Sequence, residues 1–303
     1  MVDIIVIGCG TAGMTAAIYA LRNNKSVLIL ESTSIGGQIA FSPKVENFPT
    51  YREISGEELS QKLFEQVLDL GANFELEDVQ KVEKDYEKGY FVVTTDQGEH
   101  KGRAVILATG AKQKHIGIEN EDHLLGKGVY YCAICDGAFY KGKEVALIGD
   151  GNTALQSAIL LSSICSKVYM LTWFDQFFGD ESLVTTLRKL ENVIVMPNTS
   201  VVDFVGKDQL EGVKVVRKED NSTFTLNVPA VFVAIGQVPD NERFSNIVDI
   251  DNNGYIVGDE NMNTRTEGVF VAGDTRQKQV RQLTTAASDG AIAAMSALSY
   301  LQK

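Results

Sequence analysis

A chain of 303 residues is long enough for two hydrophobic cores, and a composition 44% hydrophobic and 22% charged is that of a soluble globular protein. No apolar run approaches the roughly 20 residues of a membrane helix, and the opening MVDIIVIGCG shows no basic export signal, so no membrane partner is expected and the expected compartment is the cytoplasm. A net charge of −12 argues against nucleic acid or an anionic membrane surface as partner.

Residues 3-DIIVI-7 read as a buried strand, 8-GCGTAG-13 as a tight turn, Thr11 to Arg22 as a helix and 27-VLIL-30 as a second strand. GxGxxG between a strand and a helix is the context of a dinucleotide-binding turn. Gly8 permits the sharp turn, Gly10 lets the backbone approach a pyrophosphate, and Gly13 lets helix and strand pack closely. The helix N-terminus adds N–H donors and partial positive charge. Glu31 ends the second strand, where a carboxylate can accept hydrogen bonds from a ribose. Residues 85–103, with Tyr90-Phe91-Val92-Val93 between Gly89 and Gly98, read as a small antiparallel appendage, followed by a strand at 105–108.

Two of the four cysteines stand as Cys132-Ala-Ile-Cys135. Zinc would need two more ligands at suitable spacing, and His100, His115 and His123 form no motif, so a redox pair is favoured and no metal is expected. After it the nucleotide pattern recurs. Strand 144-EVALI-148 leads into Gly149, Gly151 and Ala154, a helix continues through 155–163, and strand 168-VYML-171 closes the unit. Gly8 to Glu31 spans 23 residues, and so does Gly149 to Thr172, which puts Thr172 at the second unit's ribose-reading position. An acidic residue there suits NAD and arginines suit NADP; this chain offers Thr172, Trp173, Phe174, Phe177 and Phe178 instead. The last motif is a strand, 269-VFVAGD-274, before a small-residue helix at 281–294. Its Asp274 suits the ribityl hydroxyls and pyrophosphate of a long dinucleotide such as FAD, and equally a plain helix cap.

Taken together, 8-GCGTAG-13, 36-GGQ-38, 46-ENFP-49, 107-LATG-110, 132-CAICDG-137, 149-GDGNTA-154, 235-IGQVPDN-241, 272-AGD-274 and 281-RQL-283 resemble the low-molecular-weight thioredoxin reductases nearly end to end. The resemblance implies an α/β fold of two Rossmann-like (three-layer ββα) dinucleotide-binding domains, the second inserted in the first. Residues 1–112 with 243–303 would bind FAD, and 113–242 would form the inserted NADPH-domain-like part carrying the redox disulfide. A homodimer is implied, as is rotation of the inserted domain between turnover steps. The flavin contacts carry over as Gly8, Gly10, Thr11, Ala12, Gly13 and Gly273 at the turns and Glu31 at the adenosine ribose. Gly37, Gln38 and Asn47 would lie near the ribityl chain and isoalloxazine, Val79 at the adenine through its backbone, and Thr109, Gly110, Asp274, Arg281 and Gln282 would close the site. Cys135 would face the flavin, Cys132 would attack thioredoxin, and Asp136 is the candidate general acid, a role that needs a carboxyl raised by burial.

Members that use NADPH place a His-Arg-Arg triplet and a further arginine after the second unit's strand. The corresponding residues here, Thr172, Trp173, Phe174 and Phe178, carry no positive charge. Three lost contacts at roughly 1.5–3 kcal/mol each remove most of a nucleotide's affinity. The chain therefore looks most like the ferredoxin-dependent flavin thioredoxin reductases, with thioredoxin as substrate and reduced ferredoxin as donor. Acidic ferredoxins would be repelled by the overall charge, so docking would need a local basic patch, for which Lys112, Lys114, Arg276, Lys278 and Arg281 are candidates. The alternatives are an NAD(P)H-dependent disulfide reductase with an altered nucleotide site, and a flavin-binding redox sensor without turnover.

Overall fold

All four residues of 4-IIVI-7 are buried, and alternate side chains serve opposite faces of one sheet. Ile4 and Val6 join Met14, Ala17, Ile29 and Phe270 on one side, whereas Ile5 and Ile7 join Leu28, Phe91, Val105 and Val271 on the other. A strand covered on both faces reads as a continuous apolar run, as this one does.

The computed structural model describes residues 1–42 and 45–302 and divides into two units. The first comprises Met1–Lys112 and Val238–Lys303. Its parallel strands run in the order Asn73–Leu76, Val27–Glu31, Val2–Ile7, Glu99–Leu107, and the last pairs along its far edge with two partners. Tyr90–Thr95 pairs antiparallel with residues 99–102, and Val269–Val271 pairs parallel with residues 105–107. The antiparallel strands predicted at 85–103 are therefore not an appendage. Their last member continues without a break into the central parallel strand, because its apolar second half, 104-AVIL-107, belongs to the unit's core. Residues 238–242 also belong with this unit rather than with the inserted segment to which the sequence assigned them. Asn241 accounts for this: it is 2% exposed and its amide donates to the Gly254 and Thr275 carbonyls.

The helix Thr11–Arg22 packs against the long C-terminal helix Leu283–Leu301. Their approach depends on small residues. A Cβ on Gly290 would run into the Ala12 carbonyl oxygen, and one on Gly13 into that of Gly8. Gly290→Val is expected to destabilise the protein by about 3 kcal/mol, the upper range of overpacking, and to lower the melting temperature by about 6–12 °C in a calorimetric scan. An unchanged melting temperature would mean that the two helices separate without strain.

The second unit, Gln113–Gln237, has a parallel sheet in the order Val193–Met196, Lys167–Leu171, Glu144–Ile148, Val231–Val233, Val129–Tyr130. A three-stranded antiparallel sheet, Thr199–Val205, Gly212–Arg217 and Thr223–Leu226, shares a core with one face of it through Val201, Phe204, Val213 and Val215. The helix Asn152–Ser162 packs in the other core with Val145, Leu147, Val168 and Phe232. Each unit is thus of the Rossmann-like α/β type. Among the described residues, no helix is long and apolar enough to cross a membrane.

Candidate functional site

The first glycine turn is held by the strands on either side of it. Gly8 N–H donates to the Leu30 carbonyl at 2.8 Å, and a Cβ on Gly8, whose φ is +108°, would collide with the Ala108 carbonyl. Gly10 is different: a Cβ there would come no closer than 3.9 Å to a protein atom, the Gly36 carbonyl oxygen. Gly36 N–H in turn donates to the Cys9 carbonyl at 2.9 Å, so Gly36-Gly37 lies alongside the turn. Glu31 is buried at 9% exposure, one carboxylate oxygen accepting the Cys9 N–H at 2.8 Å and the other the Thr33 N–H at 3.0 Å. Cys9 itself is inert, burial and the neighbouring Glu31 pushing its thiol up to about 12.

A cavity of about 70 Å³ is lined by Gly8, Glu31, Val79, Thr109, Gly110 and Arg243, so five predicted residues converge on it. Val79, predicted to meet the adenine through its backbone, has its carbonyl accepting from Arg243 at 2.7 Å, and Arg243 also pairs with Asp78 and Asp240. Thr109 is tied through its hydroxyl to Thr275 at 2.9 Å, and Thr275 donates to Asn241 at 2.7 Å. Elsewhere in the unit Asn47 donates to Gln282 at 3.2 Å, Gln282 forms a capping box with Thr285, and the Gln38 amide donates to the Ala111 carbonyl. Gly273 packs on Ala12, where an added Cβ would come within 2.8 Å of the Ala12 Cβ, and this brings Asp274 to the first turn. Arg281 lies over the Tyr255 ring at 4.0 Å.

These residues fit a long dinucleotide by one test of their own. Thr11 Oγ1, Asp274 Oδ1 and Arg281 Nε are buried with no hydrogen-bond partner among the described residues. Buried polar atoms are ordinarily paired, so Thr11 Oγ1 and Arg281 Nε mark groups built for a ligand, while Asp274 Oδ1 lies 3.8 Å from Lys278 Nζ on a side chain still 33% exposed. Asn241, Thr275 and Arg243 were not singled out from the sequence. Asn241 had one available signal, its place at the end of 235-IGQVPDN-241; Thr275 had none, since its partners are remote in the chain, and Arg243 had only Asp240 three positions away.

The second glycine turn repeats the two backbone bonds that flank the first. Gly149 N–H donates to the Leu171 carbonyl at 3.0 Å, Phe178 N–H to the Asp150 carbonyl at 2.8 Å, and Gly151 bridges to Phe178 as Gly10 does to Gly36. Phe178 therefore stands where the first unit has Gly36, Asp150 where it has Cys9, and Thr172 where it has Glu31. Thr172 is 2% exposed and turns its hydroxyl back to the Phe174 carbonyl at 2.8 Å. Asp150, missed in the sequence although its charge inside a phosphate-type turn was visible, has a buried oxygen without a partner, and burial raises its carboxyl. Phe174 and Phe178 pack edge to face at 5.2 Å and stay 46% and 56% exposed, and Lys218 lies over Phe174 while donating to the Trp173 carbonyl. Of the basic patch suggested by the sequence, Arg276 and Lys278 are not free: both pair with Asp289, and the Lys278 side chain is only 7% exposed, whereas Lys112 and Lys114 are exposed.

Cys132 and Cys135 form a disulfide at the start of the short helix Ala133–Asp136, and Cys135 N–H points at the Cys132 sulfur at 3.2 Å. Asp136 follows at 6% exposure, with Oδ1 buried and unpartnered, and burial pushes its carboxyl up to about 7. The close packing needed for this comes from Gly137, where a Cβ would meet Leu161 at 2.9 Å. A reducible disulfide beside a carboxyl raised to about 7 can accept two electrons and, in the carboxyl's acid form, have a leaving thiolate protonated.

The family profile described as pyridine nucleotide-disulphide oxidoreductase matches residues 2–290. Thioredoxin reductase of Bacillus subtilis (strain 168) is 39% identical over 302 residues, covering 99% of this chain and 95% of that protein. The 34.2 kDa protein in rubredoxin operon of Clostridium pasteurianum is 38% identical over 301 residues, covering 99% and 97%. The crystal structure of thioredoxin reductase from Streptococcus pyogenes MGAS5005 superposes with a TM-score of 0.95 at 34% identity, covering 100% of this chain and 98% of that one. With a match of this extent over both units and the disulfide between two glycine turns, the chain belongs to the low-molecular-weight thioredoxin reductases, FAD-binding members of the pyridine nucleotide-disulphide oxidoreductase family.

Proposed function

We propose that this chain is a FAD-dependent thioredoxin reductase that receives its electrons from reduced ferredoxin rather than from NAD(P)H. The observation that carries the donor assignment is the second glycine turn, where Thr172 is buried against its own loop and Asp150 puts a carboxylate beside the place of a pyrophosphate. Anionic phosphates and an acidic turn repel each other, and Phe178 lacks the charge a 2′-phosphate reader needs. One relative, 38% identical, is named as a protein in a rubredoxin operon, which is in keeping with a protein donor. A ferredoxin near about −400 mV and a thioredoxin near about −270 mV differ by about 6 kcal/mol over two electrons, in the required direction.

In this reading Gly10, Thr11, Ala12 and Gly13 receive the pyrophosphate on the first turn, Glu31 the adenosine ribose, and Asp274, Arg281 and Gln282 the ribityl side. Bound FAD supplies the conversion between single electrons and electron pairs. The Cys132–Cys135 disulfide takes up two electrons, and Asp136 gives its proton to the thiolate released. The Cys132 thiolate then attacks the thioredoxin disulfide, expelling one thioredoxin thiolate and leaving a mixed disulfide. Cys135 attacks the Cys132 sulfur, expels the second and restores the intramolecular disulfide. A cytoplasmic homodimer completes the reading; a holoprotein that sediments as a monomer would contradict that part of it.

The second reading, NAD(P)H as donor through an altered site, is favoured by the intact backbone of the Gly149–Asn152 turn and by Lys218, a cation beside Trp173. Anaerobic mixing separates the two. Reduced ferredoxin is expected to bleach the yellow protein rapidly, and NADPH and NADH at micromolar concentration are expected to leave it yellow. Rapid bleaching by NADPH would overturn ferredoxin as the donor, and bleaching by neither donor would favour a sensor without turnover.

A further inference from the structure

The C-terminal helix carries one acidic residue inside its small-residue stripe. Asp289 is 6% exposed, and one of its oxygens receives three donors: Gly273 N–H at 3.1 Å, Arg276 Nε at 3.1 Å and Lys278 Nζ at 2.8 Å. The Arg276 guanidinium already balances the Asp289 charge, and the lysine is a second cation that this carboxylate does not need. Burying an ammonium is unfavourable unless another charge compensates for it. The other charge present is Asp274, whose sealed oxygen, Oδ1, lies 3.8 Å from Lys278 Nζ while the side chain as a whole stays 33% exposed. That distance is too long for a hydrogen bond and short enough for a strong Coulomb attraction.

We propose that Lys278, anchored by Asp289, is a positioning residue that holds and neutralises the Asp274 carboxylate, so that its outer oxygen can receive the ribityl hydroxyls of FAD. The proposal rests on the reading of Asp274 as a flavin contact. An ionised carboxylate is a pure acceptor, whereas a protonated one competes with the hydroxyls as a donor. Burial pushes the Asp274 carboxyl up, Lys278 and Arg281 pull it back, and Asp289 pushes it up again; the phenol of Tyr255 is the remaining titratable group facing it. Without Lys278 the carboxyl takes up a proton at higher pH, so the loss of acceptor capacity appears as pH falls.

The test is FAD release from diluted holoprotein, read as recovered flavin fluorescence between pH 6 and pH 9, for wild type, K278M, K278R and D274N. Wild type and K278R are expected to hold FAD evenly across the range. K278M is expected to weaken FAD binding about tenfold or more at pH 6 and to recover towards wild type at pH 9. D274N is expected to bind FAD weakly at every pH. If D274N is weak but K278M matches wild type throughout, the positioning role is wrong and the flavin contact stands. If D274N holds FAD like wild type, the flavin contact itself is wrong. Should K278M fail to fold by circular dichroism, K278Q takes its place. Failure of both to fold with excess FAD present would overturn the proposal, because the lysine would then be architectural.

Discussion

Replacing Cys135 by serine is expected to lower thioredoxin reduction by at least about a thousandfold, the scale on which removing a nucleophile acts. The same loss is expected for Cys132→Ser, because each sulfur is half of the only disulfide among the described residues. What separates the two variants is the species that accumulates. Cys135→Ser leaves Cys132 able to attack oxidised thioredoxin but removes the thiol that resolves the product, so a mixed disulfide should persist on a non-reducing gel. Cys132→Ser should trap far less, since the remaining sulfur is the one assigned to the flavin side. Equal trapping by both variants would remove that division of labour, and trapping only by Cys132→Ser would reverse it. Exposure does not decide between them, both cysteines being half-buried. The other two cysteines, Cys9 and Cys165, are buried with thiols pushed up to about 12 and about 11, and do not compete.

Asp136→Asn is expected to cut turnover about a hundredfold at pH 6 and to remove a rate limb near pH 7, the effect of losing a general acid. Burial raises the carboxyl from its ordinary 3.8 to about 7, so wild type has the acid form below that pH and loses it above. The sign for stability is opposite to that of a salt-bridged aspartate. From about pH 4 to about pH 7 the unfolded chain releases this proton while the folded chain retains it, so rising pH removes stability across that window. The ceiling of that loss is about 4 kcal/mol. Asp136→Asn should therefore melt near the wild-type temperature at pH 4 and several degrees higher at pH 8. A variant that melts higher at pH 8 yet turns over with the wild-type pH profile would show that Asp136 is buried for packing and does no proton transfer.

The features that were legible in the sequence are those whose physics is local. The strand–turn–helix of residues 2–22 follows from an apolar run, two glycines that only glycine can replace and a helix of small residues, all within one short stretch. The 23-residue register placing Thr172 opposite Glu31 needs only counting, and the structure reproduces it through the paired bonds of Gly8 to Leu30 and Gly149 to Leu171. CAICD is legible for the same reason, since the disulfide closes across three positions.

Other features required contacts between residues far apart in the chain. Asn241 reaches Thr275 and Thr109, and Arg243 caps Val79 across 164 positions. Burial is the second property that composition conceals. Lys278 and Arg276 looked like a docking patch, and the fold instead turned them inward onto Asp289, because a carboxylate inside a helix stripe of small residues must find cations. Phe174 and Phe178 are large apolar side chains, yet the fold leaves them on the surface. The sequence alone therefore determined the two glycine turns, the Cys132–Cys135 pair and the uncharged stretch Thr172-Trp173-Phe174. Only the tertiary structure decided which charges are free, because pairing and desolvation are set by neighbours that the chain brings together only when it folds.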